Sequence, residues 1–109
     1  MKITSLSEIN RNDQLTDIVL HAEFTAEETA SLELISPTIF VTLKDRGYSE
    51  ITLCDEGLPV NCTFSDEELK DILDFVHGLR HILTEPEVGL LYMLEQRQEP
   101  CPKFGEPQL

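Results

Sequence analysis

The fold of this chain is decided by one stretch, SDEELKDILDFVHGLRHIL (residues 65–83), in which apolar residues take on the period of an α-helix. Its start has the form of a capping box: the Ser65 hydroxyl can accept an N–H of the first turn, and the Glu68 carboxylate can reach back. The acidic residues there also favour the positive end of the helix dipole. One apolar stripe follows, made of Leu69, Ile72, Leu73, Val76, Leu79 and Leu83. We therefore predict an amphipathic helix at about residues 65–83.

A second helix is predicted directly after it, at about residues 85–97. The tetrapeptide TEPE (84–87) again has the form of a capping box, with proline in the first turn. The residues that follow are mostly apolar and leave no consistent polar stripe. The apolar ones are Val88, Leu90, Leu91, Tyr92, Met93 and Leu94. A helix that is apolar almost all round is either buried in its own domain or covered by another chain. The second possibility makes Leu90, Leu91 and Leu94 candidate contacts of a homodimer.

The preceding residues, about 15–64, are predicted to form an antiparallel sheet of three to five strands. In DIVLHAEF (17–24), apolar and polar residues alternate, which is typical of a half-buried strand. Further runs of apolar and β-branched residues, at 31–35, 38–43, 48–54 and 58–64, are separated by Pro37 and by turn-forming residues at 44–47 and 55–57. We therefore predict an α+β fold in which the two helices cover one face of the sheet.

The chain is expected to form one domain, residues 1–98, followed by a flexible tail at 99–109. That tail holds three prolines and one glycine. The N-terminus lacks a basic segment followed by an apolar one, and no apolar run approaches the roughly 20 residues of a membrane span. Three cysteines leave at least one unpaired, which is ordinary in a reducing compartment. We expect a cytoplasmic protein that makes no contact with a membrane.

Acidic residues dominate the charge of the chain: 21 Asp and Glu against 8 Lys and Arg give a formal net charge of −13 on 109 residues. Such a field repels nucleic acid directly and attracts basic protein surfaces. Glu67, Asp71 and Asp74 are spaced i, i+4 and i+7, so three carboxylates can line one helical face despite their repulsion. The candidate partner-binding residues are Asp66, Glu67, Asp71, Asp74, Glu27, Glu28, Asp55 and Glu56. The alternative is that these acids serve only solubility.

Catalysis and metal binding find little support in the sequence. The five glycines are scattered singly, so no phosphate-binding loop is present, and no set of residues converges on catalytic roles. Cys54, Cys62, His77 and His81 have the residue types of a zinc site in a ββα finger. However, seven residues separate the cysteines here, where such fingers have two to four. We expect no enzymatic activity, no cofactor and no metal, with a zinc-stabilised module as an alternative.

The function expected from these features is non-catalytic binding to a basic surface of a protein partner. In size and charge the chain is similar to nuclease immunity proteins and to phage-encoded inhibitors of nucleic-acid-handling machinery. In such a role the carboxylates stand in for phosphates on the basic surface. The alternative from another class is a structural or assembly subunit that self-associates through its second helix.

Overall fold

The protein has a mixed α+β fold built on a five-stranded antiparallel sheet. The structure, a computed structural model, describes residues 1–45 and 49–98, with side chains described as far as residue 96. The strands are β1 (Lys2–Arg11), β2 (Leu15–Glu23), β3 (Pro37–Lys44), β4 (Glu50–Asp55) and β5 (Leu58–Pro59). The helices are α1 (Ala26–Leu32), α2 (Asp66–Gly78) and α3 (Glu85–Gln98), with a 3₁₀ turn at Arg80–Ile82 between α2 and α3. The strands neighbour one another in chain order, which confirms the predicted class.

The two C-terminal helices cover one face of the sheet. α2 packs on β1 and α3 packs on β3, and their buried side chains join a single apolar core with the inward-facing residues of the strands. The fully buried members of this core are Ile18, Leu20, Ile39, Val41, Leu43, Leu53, Ile72, Val76, Leu91 and Leu94. Alternation along β3 and β4 points Phe40 and Cys54 to the opposite face.

The sheet starts at Lys2 and not near residue 15. The prediction missed β1 because its sequence lacks the pattern of a regular strand. Its core-facing residues, Ile3, Leu6 and Ile9, are spaced three apart, which matches neither a regular strand nor a helix. The pairing of β1 with β2 shifts register between Ile3 and Ser5 and again between Leu6 and Glu8. Each irregularity inserts one extra residue, so three-residue spacing still brings all three apolar side chains to one face. Such bulges also distort an edge strand and discourage pairing with other chains.

Three other elements differ from the sequence prediction. The run at 31–35 is not a strand: α1 ends within it and Glu33 adopts a left-handed conformation, with φ 56°. The last strand is limited to Leu58–Pro59, followed by one more backbone hydrogen bond from the Val60 N–H to the Leu53 carbonyl oxygen (2.8 Å). The helix predicted to reach residue 83 ends at Gly78 and continues as the 3₁₀ turn.

Parts of the predicted organisation lie outside the described residues. The tail at 99–109 and two of the four residues of the turn at 44–47, residues 46 and 47, are among them. Among the helices that the structure describes, none is long and apolar enough to cross a membrane.

Candidate partner-binding surfaces

The outward face of α2 is acidic along most of its length. A capping box fixes its start: the Ser65 hydroxyl accepts a hydrogen bond from the Glu68 N–H (3.1 Å), and the Glu68 carboxylate accepts one from the Ser65 N–H (2.9 Å). The stripe of Ile72, Leu73 and Val76 is buried against the sheet, so the opposite side of the helix faces solvent. All four acids predicted for this surface are exposed: Asp66, Glu67, Asp71 and Asp74. We refer to these four residues as the α2 acidic face.

Most of the charge on the α2 acidic face is not neutralised within the protein. Asp74 Oδ2 lies 3.2 Å from Lys70 Nζ, and both side chains are largely exposed, so water screens this pair and its contribution is about 0–1 kcal/mol. Asp66, Glu67 and Asp71 have no cationic partner among the described residues. The face can therefore meet Lys and Arg side chains of another protein without first breaking a strong internal interaction.

Of the two acids of α1, one is exposed and the other is hydrogen-bonded within the protein. Glu27 is exposed in the first turn. Glu28 forms the capping box with Thr25 and accepts a hydrogen bond from the N-terminal ammonium of Met1 at 2.9 Å. That ammonium lowers the pKa of Glu28, with a further contribution from the Thr25 N–H. Glu28 is therefore held by contacts within the protein, and Glu27 alone of this pair remains accessible to a partner.

The acids of the β4–β5 turn divide in the same way. Asp55 Oδ1 accepts hydrogen bonds from the N–H groups of Ile35 (3.0 Å) and Ser36 (2.7 Å), so its carboxylate fastens the loop before β3 to the turn. Glu56 is exposed and adopts a left-handed conformation, with φ 53°. Of these two residues, only Glu56 offers a free carboxylate at the surface.

The apolar residues that α3 exposes are not those predicted for self-association. Leu91 and Leu94 are 1% and 0% exposed, respectively, and belong to the protein's own core; Leu90 is half-buried. The first two therefore cannot form a contact between copies in this fold. The exposed apolar side chains of α3 are instead Tyr92 and Met93, the latter 65% exposed. Glu87 is buried one turn before Leu91 and lies on the same inward side of the helix.

Glu87 is the centre of a buried polar network that the sequence did not reveal. Its carboxylate accepts hydrogen bonds from Arg11 Nε (2.7 Å), the Thr16 hydroxyl (2.7 Å) and the Thr84 N–H (2.9 Å). These bonds, chiefly the one from Arg11, lower the pKa of Glu87 to about 2 despite its burial. The capping-box pattern indicated only the bond to Thr84. Because the carboxylate is fully engaged by protein groups, its role is to join α3 to β1 and β2.

The cysteines and histidines considered as zinc ligands are separated by the fold. Cys54 is buried on the face of the sheet opposite the core, whereas Cys62 packs against the core. Burial raises the pKa of both thiols. His77 Nδ1 lies 3.6 Å from Glu95 Oε2, and its ring makes a T-shaped contact with Tyr92, with the ring centroids 5.8 Å apart, while His81 is exposed. Across residues 1–45 and 49–96, no three His, Cys, Asp or Glu side chains are grouped to hold a metal ion.

Comparison with known proteins adds no functional information. No protein-family model, no curated protein and no solved structure matches the chain.

Proposed function

We propose that this protein is a non-catalytic binding domain whose α2 acidic face occupies a basic surface of a protein partner. The observation that supports this most directly is the pair Glu67 and Asp71: both are exposed, they lie one helical turn apart, and no described cation pairs with them. Like charges at this spacing destabilise a helix by about 0.2–0.5 kcal/mol. A basic partner removes that repulsion and gains charge-assisted contacts.

The partner surface most compatible with this face is one that otherwise binds nucleic acid. Such a surface presents Lys and Arg side chains that meet successive phosphates. Carboxylates repeated along a rigid helix offer the same cations an alternative set of anionic partners. The net charge of −13 adds long-range attraction, which accelerates association with a basic protein at low salt.

Affinity capture with two matched charge reversals tests this proposal. The first variant carries Glu67→Lys and Asp71→Lys on the α2 acidic face; the control carries Asp13→Lys and Glu23→Lys, two exposed acids outside α2. Both variants change the net charge equally. We expect wild type and control to retain a basic protein that elutes at high salt, and the α2 variant to lose it. The captured protein should bind nucleic acid, and adding this domain should displace the nucleic acid.

A second candidate function is assembly through α3. Between Val88 and Gln96 the exposed residues of α3 are Gly89, Tyr92, Met93 and Gln96, all of them uncharged, although the protein as a whole is strongly acidic; the exposed acid Glu85 lies in the first turn of the helix. An uncharged face is where two copies can approach with the least repulsion. If it mediates self-association, sedimentation should show a dimer that becomes tighter at high salt, because screening weakens the repulsion while apolar burial remains. Met93→Lys should abolish that dimer.

A further inference from the structure

Two highly exposed apolar side chains lie at the same end of the sheet. Ile35 is 75% exposed and Leu58 is 70% exposed. Asp55 connects them: its carboxylate accepts the Ile35 N–H, and Leu58 is its cross-strand partner in the β4–β5 hairpin. Side chains of directly opposed residues in such a pair are about 5 Å apart. Ile35 and Leu58 therefore flank one carboxylate, and we refer to this pair as the Ile35–Leu58 corner.

The backbone holds this corner in place. Asp55 binds the N–H groups of Ile35 and Ser36, and the Glu56 N–H donates to the Ser36 carbonyl oxygen at 3.2 Å. Leu34, the residue before Ile35, is buried in the core. Ile35 cannot turn inward without removing Leu34 from the core. The outward position of Ile35 is thus fixed by the fold.

Acidic residues border the corner on both segments. Glu33 precedes Ile35 by two residues, and Glu56 precedes Leu58 by two residues. Both glutamates are exposed and both have a left-handed backbone conformation, with φ 56° and 53°. Neither segment, ELISP (33–37) or DEGLP (55–59), contains a Lys or an Arg. An apolar pair with an acidic border is the result.

We infer that the Ile35–Leu58 corner is a docking site for a protein segment that carries large apolar side chains flanked by Lys or Arg. The apolar pair provides a contact that excludes water, and the glutamates select a cationic flank. A single exposed apolar residue is ordinary on a protein surface, whereas here two are held by the backbone on either side of one carboxylate. A second copy of this chain is disfavoured as the occupant because it brings the same acids. The inference rests on the proposed function for the basic character of the partner and adds a second surface.

Two synthetic peptides test the docking site. Both are rich in lysine and have equal charge; one has a central pair of leucines, and the other has serines at these positions. We expect the leucine peptide to bind the wild-type protein about tenfold more tightly, because it buries apolar surface that the serine peptide lacks. Its binding should shift the amide resonances of residues 33–36 and 55–58. Equal affinities, or shifts confined to other residues, contradict the inference.

Variants separate this inference from the proposed function. Replacing Ile35 and Leu58 by serine should remove the preference for the leucine peptide, whereas Met93→Ser, at a similarly exposed apolar residue of α3, should keep it. A preference that persists in the Ile35 and Leu58 variant contradicts the docking site. Glu67→Lys with Asp71→Lys should weaken both peptides alike. If this double variant binds both peptides as tightly as wild type does, the proposed role of α2 is wrong. The preference for the leucine peptide still tests the Ile35–Leu58 corner in that case.

Discussion

Arg11 and Glu87 form a bidentate ion pair that joins the end of β1 to the first turn of α3. Arg11 Nε lies 2.7 Å from Glu87 Oε2, and Arg11 Nη2 lies 3.0 Å from Glu87 Oε1. The same guanidinium donates to the Ile82 carbonyl oxygen just before α3. The two residues are 76 positions apart in the chain. This pair therefore links β1 to the inward side of α3, the side that also carries the buried Leu91 and Leu94.

The pair makes a testable contribution to stability. The pKa of Glu87 is about 2 in the folded protein, below its ordinary value of 4.5, so ionised Glu87 stabilises the fold above pH 4.5. That stabilisation, about 3 kcal/mol, is lost progressively as the pH falls from 4.5 towards 2. Glu87→Gln should lower the free energy of unfolding by this amount at neutral pH. The difference from wild type should shrink on acidification, as measured by urea denaturation.

The control for this measurement is Glu85→Gln, an exposed acid in the same helical turn. It reports the general effect of removing one negative charge from a protein with a net charge of −13. If the difference in free energy of unfolding between wild type and Glu87→Gln stays constant from neutral to acidic pH, the role of the ion pair is contradicted.

The left-handed conformation of Glu56 predicts a stabilising substitution. Glu56 and Gly57 both have positive φ, 53° and 83°, as a two-residue hairpin turn of type I′ requires. Asparagine adopts this conformation more readily than glutamate. Glu56→Asn should therefore raise the free energy of unfolding by about 0.5–1 kcal/mol. Glu27→Asn, at an exposed helical position, should not raise it; an equal gain at both sites would point to charge and not to backbone conformation.

The inward side of α3 predicts unequal effects of truncating its apolar residues. Leu91→Ala and Leu94→Ala remove fully buried side chains and should each lower the free energy of unfolding by about 2–5 kcal/mol. Met93→Ala should change it by less than about 0.5 kcal/mol, because Met93 is exposed. Chemical denaturation of the three variants checks this order. A large loss for Met93→Ala in the isolated protein would mean that its side chain is covered.

The reactivity of the thiols reports on the packing of the sheet. Cys54 is buried and the pKa of its thiol is raised, first by burial and then by the nearby Asp17 carboxylate. Cys62 is only half-buried. Alkylation of the native protein, located by mass spectrometry, should therefore modify Cys62 before Cys54, and both should react at once after unfolding. Faster modification of Cys54 in the native protein contradicts its burial.

The sequence predicts the helices of this fold better than its first strand. The capping boxes at Ser65 and Thr84 involve residues three apart, so the start of each helix is visible in the sequence. The strand β1 is not, because its bulges break the two-residue period. The sequence also does not indicate which side of α3 faces inward. An acid such as Glu87 normally indicates an exposed position, and its partners Arg11 and Thr16 are distant in the chain.

The candidate surfaces were likewise predictable in part. The exposure of the α2 acidic face follows directly from the apolar stripe on the same helix. In contrast, the contact of Glu28 with the N-terminus and the contacts of Asp55 with the loop before β3 depend on groups outside their own segments. The Ile35–Leu58 corner likewise depends on the long-range bond that Asp55 makes. These contacts are tertiary, and local pattern carries no information about them.

The rate at which the captured partner associates with this domain tests the central claim most directly. It should be measured as a function of salt for wild type, for Glu67→Lys with Asp71→Lys, and for the control with Asp13→Lys and Glu23→Lys. If the α2 acidic face binds the partner, the first variant should associate about tenfold more slowly at low salt and lose most of its salt dependence, while the control stays close to wild type. Equal rates and equal salt dependence for the two variants would contradict the account.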